Sequence, residues 1–581
     1  MSLTSALSIG RSALNASSVA IQVTGNNFAN AATPGYSRQI ISFVPTGDQN
    51  AGGYSVGLGV TVGGITRSVD NALQSRLWNG YSQEAASSAG QQFLSGLESI
   101  TNTLGTGSLS DGLTQFFNSW SQLANSPNQQ GAAALVVSQG QTLAGQIQDL
   151  RSSLVNTRTQ LDLTTSAAVT QANSLLSQIA TLNGNIVTST GGSTPSNSLS
   201  DQRDQLITQL SQLMDVSVTH DPSGAYNVLV GSTPVVLGTQ SRGIQLEQTT
   251  NGNSTDESVH VTQDGTQLTI TGGTIGGLLD QRSGQLTQTI SQLDSVASQL
   301  IYQVNRIHSA GSGSTPIQTV TGTQKVPAAD TTRALDDPAN TTFAGLPFHA
   351  NTGGFLVTVT NTATGASQTQ RINVDLDGIT NAGTPGTSDD TSVSSLAGSL
   401  NGVANLGASV NADGTLKISA ASGYTVSFSE DSSGALATLG INTYFTGHDA
   451  TDIGVRSDLQ ASPGLLATAQ TVGGQSTDNG TALAIAALAD QPNTQFGGQS
   501  ISGAWQDAAQ QVGAASQTAS TQAQADSLVR QNLESQQQAV SGVSVDEESI
   551  NLLNYQRQYQ GAAQYITVVD EMTQTLLAMI Q

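Results

Sequence analysis

The sequence predicts an α+β chain in which helices from its two ends pair as a coiled coil, long helices build a core domain, and antiparallel β domains are inserted in the middle. Three observations predict it. Apolar heptad stripes occur at both ends, a near-heptad pattern persists from Leu143 to Ile186, and strand-like alternation is confined to the interior of the chain.

The closing stretch carries the clearest stripe. Val545, Leu552, Tyr555, Tyr559, Ala562, Ile566, Val569, Leu576 and Ile580 follow steps of three and four, interrupted only by Glu548 and Thr573. Ser544, with Glu547 three residues later, reads as a capping box that starts the helix. At a rise of about 1.5 Å per residue the helix is a rod of roughly 50 Å. A rod with so narrow a stripe needs partner helices. At the other end Leu7, Leu14, Ile21 and Phe28 recur every seven residues, and Leu3, Gly10, Ser17 and Thr24 fill the alternate positions. The small residues there admit a second backbone at close range, so the two ends are expected to close on each other and everything between them to be an insertion.

Composition narrows the function. The chain has 581 residues, a formal net charge of -23 and a pI near 4.2. Such an acidic chain repels phosphate backbones and anionic lipid, which argues against nucleic acid and membrane surfaces as partners. Only 10% of residues are charged and 4% aromatic, against 62 Gly, so the surface is largely uncharged and polar. Cys is absent, which removes disulfides, thiolate metal sites and thiol nucleophiles. The first thirty residues hold one Arg and no long apolar block, and no run is apolar enough to span a bilayer. Neither a cleaved signal peptide nor a membrane span is expected, and export would need a dedicated machine.

In chain order, Thr33-Pro34-Gly35 stops the first helix and reverses the chain. Ile40 to Val44 and Val56 to Val62 alternate as a small hairpin. Helical spacing runs from Asp70 to Leu104, then through the compact aromatic stretch Leu109 to Pro127, then along the rod at 143 to 187 until Gly191-Gly192 and Pro195 break it. A shorter helix is expected from Asp201 to Met214, short strands between Val216 and Thr271, and helix again from Leu278 to Ile307. A Thr, Gly, Asp and Asn-rich stretch with strands at Phe355 to Val359, Arg371 to Leu376, Leu416 to Ser419 and Tyr424 to Phe428 follows, and helices return from Thr481. The expected domains are 1–35 with 541–581 as terminal coiled coil; 36–215, 271–311 and 456–540 as helical core; 216–270 as a small β domain; and 312–455 as a β-rich outer insertion.

No stretch reads as catalytic, cofactor-binding or metal-binding. The glycines at 57, 59, 63 and 64 lie inside period-two valines and open no helix, so they are not a phosphate loop. Asp201-Gln-Arg203-Asp204 has no nearby His and reads as the solvated face of an amphipathic helix. Asp375-Leu-Asp377-Gly378 lacks the ligand pattern and closing Glu of a calcium loop. The five His, at 220, 260, 308, 349 and 448, are scattered without spaced partners, and His308 suits a capping or interface role better than ligation.

Several strings resemble one family. Asn26-Asn27-Phe28-Ala29-Asn30 before Thr33-Pro34-Gly35 resembles the opening of flagellar rod, hook and hook-associated proteins, and Tyr36-Ser37-Arg38-Gln39 resembles the hook-associated branch in particular. The aromatic helix around Phe116, the strings Gly276-Gly-Leu-Leu-Asp280-Gln-Arg282 and Asn305-Arg-Ile-His308-Ser-Ala-Gly311, Leu439 to Asp449, and Ile550 to Ala563 with Val569-Asp570-Glu571 resemble it too. The resemblance implies a non-enzymatic structural part of the bacterial flagellum without cofactors, at the junction between hook and filament, exported through the flagellar type III pathway to the cell exterior. It implies self-assembly into a ring or helical array, hook protein and a second junction protein (hook-associated protein 3) as neighbours, and a cytoplasmic export chaperone. The expected assembly interface is the two stripes: Leu3, Leu7, Leu14, Ile21 and Phe28, with Leu552, Tyr555, Tyr559, Ala562, Ile566, Val569, Leu576 and Ile580. Hook or another axial protein, or a secreted fibre or phage-tail-like adhesin, is the alternative.

Overall fold

The computed structural model describes residues 3–51, 54–102, 105, 107–190, 196–251 and 254–580. Leu104 and the Gly191-Gly192 and Pro195 break lie outside them. The helices are α1 (Leu3–Ala29), α2 (Asn71–Thr101), α3 (Leu109–Asn125), α4 (Gln130–Thr190), α5 (Asn197–Leu213), α6 (Gly273–Gln281) and α7 (Thr287–Ser309). They continue with α8 (Thr341–Ala344), α9 (Val393–Asn401), α10 (Ala435–Thr438), α11 (Ser457–Ala461), α12 (Gly480–Ala487), α13 (Ile501–Ser541) and α14 (Val545–Ile580). No helix among the described residues is long and apolar enough to cross a membrane.

The chain forms two compact units, one of Met1–Phe93, Gln160–Ser283 and Gln517–Gln581 and the other of Leu94–Thr159 and Gly284–Ser516. The limits fall inside α2, α4 and α13 and inside a π turn at Arg282–Leu286. The stretches expected to form one helical core are therefore divided between the units, because a helix tens of residues long outruns any single core.

In the first unit α1 and α14 lie antiparallel, with Gly10 against Tyr565 and Ile566 and Asn27 against Glu548. The buried residues of α1 are Gly10, Ala16, Ser17, Ala20, Val23, Thr24 and Asn27, with Gly10 and Asn27 meeting α14. The seam thus runs through the small positions rather than through the leucines. A Cβ built on Gly10 would lie 2.7 Å from Ile566 Cγ1, closer than side chains tolerate. Gly10→Leu should wedge the helices apart and cost about 1–3 kcal/mol. Thermal unfolding and amide exchange on α14 check this; an unchanged exchange pattern would mean that the helices do not meet there.

The strand Gln39–Pro45 pairs antiparallel with Val60–Arg67, Gln39 opposite Arg67, and a smaller hairpin of Asp48–Ala51 with Tyr54–Gly57 lies between them in sequence. The run Val56 to Val62, expected as one strand, is interrupted at Leu58 and Gly59 and contributes to two. Further on, a four-stranded sheet (Ser217–His220, Tyr226–Val230, Thr233–Leu237, Gln240–Ser241) and a three-stranded one (Ile244–Asn251, Ser254–Val261, Gln267–Leu268) carry their apolar faces into one core with α4 and α5. Val228, Val236 and Val259 are buried with Leu176, Ile179 and Ile207. These strands do not enclose a core of their own, since one apolar face per sheet must be covered by something else.

In the second unit one core cluster draws its buried members from Val320 to Ile441. Its sheets order as Thr319–Thr321, Leu416–Ala420, Leu406–Val410 and as Ser367–Val374, Gly353–Asn361, Tyr424–Ser429, with the central member named second in each. Helix α9 was not expected inside this β-rich stretch. Its buried Val393, Leu396, Ala397 and Leu400 have plain helical spacing, and Ser392 with Ser395 forms the capping box that starts it.

Candidate functional site

The turn after α1 ties the two ends of the chain together. Asn27 is 1% exposed and uses its whole side-chain capacity. Its Oδ1 accepts from the Tyr36 hydroxyl at 2.8 Å and the Gln39 amide at 2.9 Å. Its Nδ2 donates to the Gln39 carbonyl at 2.9 Å and to Glu548 Oε2 at 3.1 Å. Two donors and two lone pairs are all an amide side chain has, so any replacement orphans a buried partner. Arg38 completes the closure: Nε donates to Glu548 Oε1 at 2.9 Å and Nη1 to Glu547 Oε2 at 2.9 Å, while its amide caps the Ser541 carbonyl at the end of α13 at 2.9 Å. Glu547 N–H donates to Ser544 Oγ at 3.4 Å, but the Glu547 carboxylate turns to Arg38, so only half of the expected capping box forms.

Gly35 lets the chain reach this geometry. It has φ +76°, and a Cβ there would collide with Gln205, whose Nε2 donates to the Pro34 carbonyl. The Ser37 amide donates to Asp201 at 3.3 Å. Arg67 binds Asp201 at 2.9 Å and Asp204 at 2.7 Å. Arg203, 2% exposed, donates to Asn183 Oδ1 at 3.1 Å and the Gly224 carbonyl at 2.9 Å, with its guanidinium over the Tyr226 ring. Asp201-Gln-Arg203-Asp204 is therefore no solvated face, as its residue types suggested, but a buried ion-paired strut under the turn. Burial pushes the Asp204 carboxyl up, and Arg67 and Arg203 pull it back. The Tyr36 hydroxyl is pushed up to about 12 by burial, with the Asp201 and Glu548 charges adding to it.

On α14, Ala562 and Val569 are buried and Leu552, Tyr555 and Ile566 half-buried. Tyr559 and Leu576 are 38% and 47% exposed, and Ile580 ends the helix. On α1, Leu3, Leu7, Leu14 and Ile21 are half-buried and Phe28 is 48% exposed. Glu548, which seemed to interrupt the stripe, is its most buried polar member, at 2%. A second apolar row, Ile550, Leu553, Val568, Met572 and Met579, is exposed on α14. At 100° per residue it lies about a third of a turn from the seam. Arg557 and Gly561 interrupt it, which hid it from the periodicity reading.

In the second unit three of the family-like strings converge. Tyr444 is fully buried, packs edge-on against Trp120 and Phe445, and donates to the Val136 carbonyl at 2.8 Å. Asn305 Oδ1 accepts from the Tyr444 and Phe445 amides at 2.9 and 2.8 Å. Asn442, at φ +52°, donates to the carbonyls of His308, Ser309 and Gly311, where α7 ends. His308 is fully buried between the Asn442 carbonyl, 2.8 Å from Nδ1, and the Ala467 amide, which donates to Nε2 at 3.0 Å. That pair fixes a neutral ring, donating from Nδ1 and accepting at Nε2.

Burial pulls His308 down to about 4; the Asn442 carbonyl and Asp458 oppose this and Arg456 adds to it. The unfolded chain takes up this proton near the ordinary value of 6.5 and the folded chain only near 4. Acidification through that window therefore favours unfolding, by on the order of 3 kcal/mol in all, and above it the ring adds no pH dependence. Denaturant unfolding of wild type and His308→Gln at several pH values between 7.5 and 4.5 should show a flatter slope in the variant. Equal slopes would exclude His308 as the source.

A family described as flagella basal body rod protein matches residues 7–36, and one described as flagellar basal body rod FlgEFG protein C-terminal matches 536–579. These are the two ends that the turn ties together. A third, flagellar hook-associated protein FlgK helical domain, matches residues 94–319. The chain is a structural protein of the bacterial flagellum and assembles there with other flagellar components. It is 25% identical, over 99% of its own length and 100% of theirs, to flagellar hook-associated protein 1 of Escherichia coli strain K12 and of Salmonella typhimurium. The protein of the same name from Bacillus subtilis strain 168 is 30% identical over 38% of this chain and 44% of that one. The flagellar hook junction protein FlgK of Burkholderia pseudomallei shares the fold, with a TM-score of 0.52 and 17% identity over 80% of this chain and 100% of that chain.

Proposed function

We propose that this chain forms the junction zone between hook and filament, as a non-catalytic subunit on which filament assembly depends. The observation that carries the reading is the exposed apolar row on α14, a helix whose other face is already taken by α1 within the same chain. An apolar row left uncovered over the length of a long helix marks a contact between molecules. The terminal pair, including the half-buried Leu3, Leu7, Leu14, Ile21, Leu552, Tyr555 and Ile566 and the exposed Phe28, Tyr559 and Leu576, then packs against the same pair in neighbouring copies.

In this reading hook protein lies on one side of the zone and hook-associated protein 3 on the other. The chain travels through the flagellar type III pathway without a cleaved signal peptide, and a cytoplasmic chaperone covers α14 until export. The uncharged polar surface suits a tube through which other chains pass. Electron microscopy of cells lacking the protein tests the proposal. Hooks without filaments, with filament subunits lost to the medium, are expected; normal filaments would refute it.

A further inference from the structure

One acidic group in the second unit has no partner that its burial demands. Asp390 is 5% exposed, and neither of its carboxylate oxygens receives a hydrogen bond. The Gly378 amide faces it and favours its charged form, against the larger effect of burial. Asp336, Asp375 and Asp377 add their negative charge around it. One oxygen from each of Asp375, Asp377 and Asp390 lies within 4.8 Å of the other two. A buried carboxylate aimed at two others is held there against both desolvation and like-charge repulsion.

We propose that Asp375, Asp377 and Asp390 form a calcium site. The donors are all carboxylate oxygens, the set a hard cation takes, and an ion with ligands at about 2.3–2.6 Å spans the separation of these oxygens. A proton shared by one pair would leave the third carboxylate uncompensated, whereas a divalent cation answers all three. The fold holds the groups in register. The Asp375 amide donates to Thr391 Oγ1 at 2.8 Å and the Thr391 amide returns to the Asp375 carbonyl at 2.7 Å, which fixes Asp390 beside Asp375 across the base of the loop. The Ile379 amide takes Asp377 Oδ1 at 2.8 Å and orients that side chain. Asp375-Leu-Asp377-Gly378 is incomplete as a calcium loop within its own run because the decisive ligand, Asp390, stands beyond the intervening loop.

The test is calorimetric titration of the full-length chain with calcium chloride at pH 7.5, alongside thermal unfolding. Saturable heat with a dissociation constant of roughly 0.1–1 mM, as in other extracellular calcium modules, is expected, together with a rise in the melting temperature. Asp390→Asn should abolish both, and Asp377→Asn should weaken binding at least tenfold. The exposed Asp375→Asn and Asp377→Asn variants serve as the test should Asp390→Asn not fold. Absence of heat overturns the proposal. So does equal heat in all the variants that fold, or an equal melting shift from sodium chloride at matched ionic strength.

Discussion

Glu548→Ala should release both ends of the chain from the first unit while the rest stays folded. The carboxylate is 2% exposed and takes hydrogen bonds from Asn27 and Arg38, so its loss leaves a buried amide donor without its acceptor and a half-buried guanidinium with only the exposed Glu547. Removing one partner of such a pair costs roughly 3–5 kcal/mol, more than the pair itself contributes, because the remaining groups stay desolvated. Amide exchange in α1 and α14 should quicken by about a hundredfold or more, with α3 and α7 unchanged. Glu547→Gln is the control: its side chain is 61% exposed and its bond to Arg38 is a surface contact of about 0–1 kcal/mol. Equal effects from the two substitutions would show that the buried carboxylate is not what closes the ends.

Val568→Asp combined with Met572→Asp should leave the monomer as stable as wild type and abolish its incorporation at hook tips. Both side chains are exposed, at 52% and 55%, and stand away from the seam with α1. Charges there cost the single molecule little and the assembled one the desolvation of each charge in every copy. Tyr559→Ala with Ile566→Ala is the informative contrast. Ile566 touches α1 within the same chain, so that pair should loosen the ends of the monomer as well as weaken assembly. Export is read separately from the culture medium. A doubly charged variant that is exported and still joins hook to filament would remove α14 from the contact between subunits.

What was legible in the sequence follows from what periodicity can carry. The stripe of α14 and the rod of α4 could be read because a buried helix face repeats its own geometry. The choice of face on α1 was harder: Leu7, Leu14 and Ile21 dominate a hydropathy reading, yet the closest approach belongs to Gly10, Ser17 and Thr24, whose value lies in being small. Asp201 and Arg203 were misread because a charged residue looks solvated until its partners, Arg67 from a distant strand and Tyr226 from another, are known. Glu548 gave a usable sign, a lone acid in an apolar seam, and the Tyr36-Ser37-Arg38-Gln39 string held its partner. Helix α9 was hidden by the Thr and Gly around it, although its own spacing was regular. Asp390 could not be linked to Asp375 and Asp377 by any local pattern, since chain folding alone brings it to them.

The bond between Asn27 and Glu548 joins groups 521 positions apart in the chain. A contact of that span forms only after almost everything between its ends has been made and has found its place, and it closes slowly because the entropy of so large a loop must be overcome first. If the chain is exported through a narrow channel as proposed above, this delay is useful. Either end alone is an amphipathic segment without its partner helix, so the pair closes only once both ends are present. On that proposal the two ends latch only after the last residues have been delivered.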